Sequence, residues 1–191
     1  MNESNLIKRL NGLVSGDRFL KEKELSLHGH VRASNDYLPL VTGDAPTWVQ
    51  DGIQFDDGET AFLDFDIPQD YDTGVDACAL RLHLMPSADA AHTTDMGLTT
   101  AQALYRAGAA VDNTVAAAVA ETATASTDQL VREAVLDISG NGYQPGDRVR
   151  RTLDANNSDT TELILLGIDL IYGSSVRGYN EDDYARDIGN E

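Results

Sequence analysis

From about residue 24 onward, apolar residues recur at every second position of the chain. The stretch ELSLHGHV sets Leu25, Leu27 and Val31 on one face, with His28 and His30 on the other. ETAFLDFDI repeats the pattern with Ala61, Leu63, Phe65 and Ile67 against Phe62, Asp64 and Asp66. CALRLHL places Cys78, Leu80, Leu82 and Leu84 inward, and Arg81 and His83 outward. Further along, Ala134, Leu136 and Ile138 share a face, and Val149, Arg151 and Leu153 oppose Arg148, Arg150 and Thr152. In TELILLGIDLIY the same period lines up Ile164, Leu166, Ile168, Leu170 and Tyr172. A period of two is the mark of a strand with one face buried, and the intervening IPQDYDTG, SGNGYQPGD and DANNSD carry turn chemistry. Six or more such strands without a repeating βαβ pattern predict an all-β antiparallel sandwich or barrel.

Two regions depart from that period. Residues 4–14 place Leu6, Ile7, Leu10 and Leu13 at helical spacing behind a Ser4 or Asn5 cap, which predicts a short amphipathic helix. Three turns of helix are marginal alone in water, so this stripe must rest on its own domain or on a neighbour. The alanine-rich stretch 99–128 suits a helix by composition at 100–107, whereas its small and β-branched residues over 113–123 suit a closely packed strand. The last segment, 173–191, is acidic and loses the alternation, with Tyr179 and Tyr184 as aromatic anchors for an arm that orders on a partner. The expected organisation is therefore an N-terminal arm over 1–23, a β-sandwich over 24–172 and a C-terminal tail over 173–191.

Charge changes the picture of the surface. The chain has 191 residues, 32 acids and 14 bases, for a net charge of −18. Only Lys8, Lys21 and Lys23 are lysines, and 23 of the acids are aspartates. Such like charge strains a compact domain in dilute salt. At ~1 M salt the screening length falls to about 3 Å and the strain largely disappears. Scarce lysine with abundant aspartate is the composition expected of a high-salt environment. An acidic surface is also a poor fit for nucleic acid or anionic membranes. The N-terminus has no apolar core of a signal peptide, and no run of 18 apolar residues marks a membrane span.

The search for reactive chemistry leaves little. There is no Gly-rich phosphate loop, P-loop or Gly-x-Ser-x-Gly elbow. Cys78 is the only cysteine and sits in a strand pattern as a small apolar residue. His28 and His30 form a half-site for zinc by spacing, yet no further ligand motif accompanies them. Asp56, Asp57 and Glu59 occupy a loop without EF-hand spacing, so a solvated acidic turn is the expectation. Trp48, the lone tryptophan, is expected as a core or edge anchor. No catalytic, cofactor or metal residue is assigned, and the chain is expected not to be an enzyme.

Three segments in order carry a resemblance: WVQDGIQFDDGETAFLDFDIPQDYD, ALRLHLMPSA, and LDISGNGYQPGDRVRRTLDANNSDTTELILLGIDLIY. Over about residues 46–172 this order resembles the jelly-roll structural proteins of tailed viruses, such as capsid decoration (cement) proteins, turrets and head fibres. The resemblance implies a two-sheet antiparallel jelly roll, a homotrimer, mounted on a virion through a terminal arm that binds the major capsid protein. Leu6, Ile7, Leu10 and Leu13, with Tyr179 and Tyr184, would be the partner-binding residues. The family's Arg-Asp pair after the Pro-Gly-Asp strand is only loosely matched, since Arg150 and Arg151 precede Asp154 here. An alternative of a different class is a receptor- or carbohydrate-binding jelly-roll module of a tail fibre or baseplate. A glycan platform needs exposed aromatics on one face, and aromatic residues make up only 6% of this chain.

Overall fold

A computed structural model of the chain describes residues 19–27, 31–33, 47–49, 52–87, 94–112, 119–123, 131–157 and 162–174. The described residues form eleven strands: β1 (Phe19–Leu25), β2 (Val31–Ala33), β3 (Thr47–Val49), β4 (Gly52–Phe55), β5 (Thr60–Asp66), β6 (Cys78–Pro86), β7 (Thr94–Tyr105), β8 (Val119–Ala123), β9 (Arg132–Asp137), β10 (Arg148–Asn157) and β11 (Leu163–Ser174). All pairings are antiparallel, and they divide into two sheets. Sheet A runs β3-β4-β11-β6-β9, with β1 added against the far half of β11; sheet B runs β2-β5-β10-β7-β8.

From β4 to β11 the chain crosses between the sheets at every step except β7 to β8, which pair with each other within sheet B. Four of these strands make the row β4-β11-β6-β9 and the other four make β5-β10-β7-β8. Eight strands in that double crossing order are a jelly roll. The expected all-β two-sheet sandwich is thus present. The arms are another matter, because the predicted helix at 4–14 and the tail beyond Ser174 lie outside the described residues. Strand β1 begins at Phe19, within the stretch expected as an arm, and pairs residue for residue with β11 from Ser174 to Ile168.

The core lies between the sheets and follows the sequence alternation closely. Leu63 and Phe65 on β5, Leu80 and Leu82 on β6, and Val149 and Leu153 on β10 are all buried. Each fully buried Leu or Phe contributes roughly 1.5–3 kcal/mol of transfer free energy. One phase differs from expectation. On β11 the inward residues are Leu163 and Leu165, and a bulge between Leu165 and Gly167 then restores Ile168, Leu170 and Tyr172 to the core. Ile164 and Leu166 therefore do not join the inward row, because the extra residue shifts the alternation by one. The alanine-rich stretch 100–107 is strand up to Tyr105, and Val119–Ala123 supplies the edge strand β8. Trp48 lies in edge strand β3.

One charged residue belongs to the interior. Arg151, expected on the inward face of β10, is fully buried at 0% exposure and donates from Nη2 to the Thr99 carbonyl at 3.0 Å. Beside it, the Tyr143 hydroxyl donates to Gln102 Oε1 at 2.9 Å. Burial pushes the Tyr143 phenol up to about 12, and the Arg151 charge acts against that rise. A polar network at this depth favours one register of β7 against β10, since a slip would strand each of its groups without its partner.

Candidate functional site

The two outer sheet faces differ in chemistry. On sheet A, the outer face has a buried apolar end and a charged end. Ala77, Ala79, Val135 and Ile171 are buried there, with Leu20 and Val75 packed against them. At the charged end, His83 Nε2 lies 2.7 Å from Asp169 Oδ2, and His83 Nδ1 lies 3.6 Å from Glu133 Oε1. Arg81 donates to Glu22 Oε2 at 3.0 Å, tying β6 to β1 across β11. One arginine and one histidine thus sit among three carboxylates across four strands, and no described Phe, Tyr or Trp joins them on that face.

Sheet B offers a different face. Its register sets Arg148 opposite both Asp66 on β5 and Tyr105 on β7. One row further in, Arg150 faces Asp64 and Ala103; the next row has Phe62 opposite Thr152. Period-two alternation turns all of these away from the core, because Phe65, Leu63, Val149 and Leu104 turn into it. Beyond Tyr105, Leu104 and Asp112 exchange both backbone hydrogen bonds, at 2.8 and 3.0 Å. That pairing sets Val111 beside Tyr105 on the outer side. Tyr105 and Val111 are 38% and 51% exposed, and both stand among the few large exposed apolar residues described.

The floor of this strip is rigid. Arg150 donates from Nε to Asp64 Oδ1 at 2.7 Å and from Nη2 to Oδ2 at 2.8 Å. Its guanidinium carbon also stands 5.3 Å from the centre of the Phe62 ring. The hydrogen bonds that Arg150 donates to Asp64 hold its guanidinium still more firmly protonated than usual. Ala103, next in the same row, contributes only a methyl group, so the surface between Arg150 and Tyr105 stays low.

The rim beside Tyr105 is equally well tied. Asp147 is buried and accepts from Arg106 Nε at 2.8 Å, from Arg106 Nη2 at 2.7 Å and from the Gln144 backbone N–H at 2.7 Å. The Asp147 hydrogen bonds raise the Arg106 pKa. Backbone bonds from Ile67 N to Asp147 O and from Gly146 N to Ile67 O link the adjoining loop. Gly146 has φ +81°, a left-handed conformation that favours glycine, whereas the Gln69 side-chain end near it could swing aside for a Cβ. Three loops thus meet at Asp147, two through its carboxylate and the third through its backbone carbonyl.

Several residues singled out in the sequence take other places. Leu6, Ile7, Leu10, Leu13, Tyr179 and Tyr184 lie outside the described residues, as do His28 and His30. Glu59 is engaged in its turn, where Oε2 accepts the Asp56 N–H at 2.7 Å, while Asp56 and Asp57 are exposed. Among the described residues no group of three His, Cys, Asp or Glu is placed to hold a metal ion. Cys78 is fully buried, and burial raises its thiol pKa far above the usual range. Phe62, Asp64, Asp66, Arg148 and Arg150 were legible only as outward positions, and Tyr105 and Val111 were not singled out. Their assembly depends on pairing β5 with β10 and β10 with β7, which no local motif announces.

What this face and fold define is a jelly-roll domain with a polar and aromatic sheet surface. No known protein family matches the sequence, and no curated protein matches it. Solved structures similar in outline include a xylan-binding module, CBM15, at a TM-score of 0.47 and 12% identity, covering 81% of this chain and 97% of that one. Another is TmCBM61 in complex with β-1,4-galactotriose, at a TM-score of 0.33 and 8% identity, covering 80% of this chain and 88% of that one. A third is the enzymatically active domain of tailspike protein 4 from bacteriophage CBA120, at a TM-score of 0.29 and 9% identity, with 83% and 19% covered. At these scores the likeness assigns neither ligand nor site, and both must come from this chain's own residues.

Proposed function

We propose that this chain is a non-catalytic jelly-roll module that binds carbohydrate on the outer face of sheet B. The observation that carries the reading is the row Asp66–Arg148–Tyr105–Val111, backed by Arg150, Asp64 and Phe62. A sugar ring has an apolar C–H face and a rim of hydroxyl groups. Exposed Tyr105 beside Val111 suits the first, since an aromatic ring joins an apolar body to a polar tip. Carboxylate and guanidinium groups suit the second, accepting and donating hydrogen bonds in fixed directions. Because the Asp64–Arg150 fork is already closed, little side-chain entropy remains to be lost on binding.

The virion-decoration reading ranks second. Its docking residues lie outside the described residues, and nothing in the described sandwich favours it over sugar binding. The carbohydrate reading is also compatible with a receptor-binding module of a viral fibre, where a glycan would be the receptor.

A panel of soluble polysaccharides, run by affinity electrophoresis with the full chain, tests the proposal. Wild type should be retarded by at least one of them, and Tyr105→Ala should lose most of that retardation. Glu22→Gln, on the opposite sheet face, should behave as wild type. Equal retardation of Tyr105→Ala and wild type would place the binding elsewhere.

A further inference from the structure

Resting on the carbohydrate reading, we infer that the saccharide recognised on sheet B carries an anionic group, a carboxylate or a sulfate, and that Arg148 selects for it. The argument begins with how this chain uses its cations. Lys21 holds Asp70, Arg81 holds Glu22, Arg106 holds Asp147 and Arg150 holds Asp64. In a chain with 32 acids and 14 bases, such engagement is what chance placement would give. Arg148, like the exposed Lys23 on sheet A, departs from it. It is exposed, Asp66 faces it across the ladder, and it forms no ion pair among the described residues.

Its position gives that open guanidinium a use. Arg148 stands between Asp66 and the exposed Tyr105–Val111 pair, in the same row. A ring resting on Tyr105 and Val111 would bring a substituent on its edge to Arg148. Guanidinium groups bind carboxylate and sulfate oxygens with two parallel hydrogen bonds, which neutral hydroxyl groups match poorly. The net charge of −18 opposes a polyanion at long range, but in ~0.15 M salt the Debye length is about 8 Å and distant acids are screened. Asp66 is the near competitor. Its carboxylate disfavours an anion placed on its own side and so steers the anionic group toward the Tyr105 side.

The test measures binding of the full chain to four polymers: unsubstituted xylan, glucuronic-acid-substituted xylan, polygalacturonate and a sulfated galactan. Isothermal titration is run at 0.15 M and at 1 M salt. Wild type should prefer an acidic polymer to neutral xylan by about tenfold at 0.15 M, with the ratio falling in 1 M salt. Arg148→Gln should bring the ratio close to one, whereas Arg148→Lys should keep a reduced preference. The carboxylated and sulfated arms identify which anion is read, and preference for either supports the inference. A wild-type chain that binds neutral xylan as well as the acidic polymers would overturn the inference and leave the carbohydrate reading standing. An unchanged acid preference in Arg148→Gln would also overturn it. Binding to none of the polymers, with folding verified by circular dichroism, would overturn the inference, and together with no retardation across the wider polysaccharide panel it would overturn the carbohydrate reading too.

Discussion

Arg150 and Asp64 face each other directly across the β10–β5 ladder and are joined by two parallel hydrogen bonds, at 2.7 and 2.8 Å. Asp64 keeps only 2% of its side chain exposed, whereas Arg150 keeps 30%. The carboxylate is therefore the partner that depends on the other. Removing the guanidinium strands a buried charge, but removing both groups does not.

Arg150→Met should therefore destabilise the domain by about 3 kcal/mol, the scale for breaking one side of a buried ion pair. The double variant Asp64→Leu, Arg150→Met should recover a large part of that loss, because no desolvated charge remains. Urea denaturation of the wild type, both single variants and the double variant gives the coupling directly. Strict additivity would show that the fork contributes no mutual stabilisation.

How much of this could be read from the sequence differs between fold and site. Alternation placed Leu63, Leu82 and Val149 inward, and it placed Arg151 inward as well, although a buried arginine runs against composition. It failed on β11 where the bulge after Leu165 moves one residue out of phase, because a period of two carries no marker for an inserted residue. The site was half visible. Phe62, Asp64, Arg148 and Arg150 were outward positions, but their meeting depends on strands more than 80 residues apart, and Val111 enters through a loop pairing. Pairing of distant strands is set by the whole core, and no short segment encodes it.

A second prediction concerns acid. Asp70 accepts hydrogen bonds from Lys21 Nζ, from Ser174 Oγ at 2.9 Å and from the Tyr172 hydroxyl at 3.2 Å. Burial alone would raise its pKa, yet the Lys21 and Ser174 hydrogen bonds and the Lys21 charge outweigh burial, and the net shift is below the ordinary 3.8. A carboxyl group with a lowered folded pKa adds stability that is complete above its unfolded value and is lost as pH falls through the folded one. Melting curves between pH 2 and 7 should therefore show wild type losing part of its margin below about pH 4. Asp70→Asn should be less stable at pH 7 and show a shallower acid limb. Parallel acid limbs would remove Asp70 from the linkage.

Gly52 supplies a packing prediction. It begins β4 where that strand crosses close to β11, and a Cβ there would stand 2.2 Å from the Leu165 carbonyl oxygen. That neighbour is backbone, so it cannot rotate away. Gly52→Ala must push β4 off β11 at the pairing of Ile53 with Leu165, just before the bulge. The cost should reach about 3 kcal/mol, the upper end for overpacking a core. Amide exchange should speed up at Ile53 and Phe55 while the β6–β11 pairing stays protected. Uniform protection in the variant would mean that the strands separate less than the contact requires.

The last prediction tests the surface as a whole. Net charge of −18 on 191 residues, with three lysines and 23 aspartates, places like charges at short spacing around the sandwich. Specific pairs such as Arg106 with Asp147 relieve only part of this, because acids outnumber bases by more than two to one. In ~0.01 M salt the screening length is about 30 Å, a distance comparable to the width of such a domain, so most acids repel most others. At ~1 M it is about 3 Å, and only direct neighbours interact. Stability should therefore climb steadily from dilute buffer to molar potassium chloride, with the melting temperature rising by several degrees or more. A general salting-in or salting-out effect would depend on the anion's identity; screening should give matching curves for chloride and acetate at equal ionic strength. A melting temperature independent of salt would mean that the acidic surface carries little self-repulsion, and the high-salt expectation would fail with it.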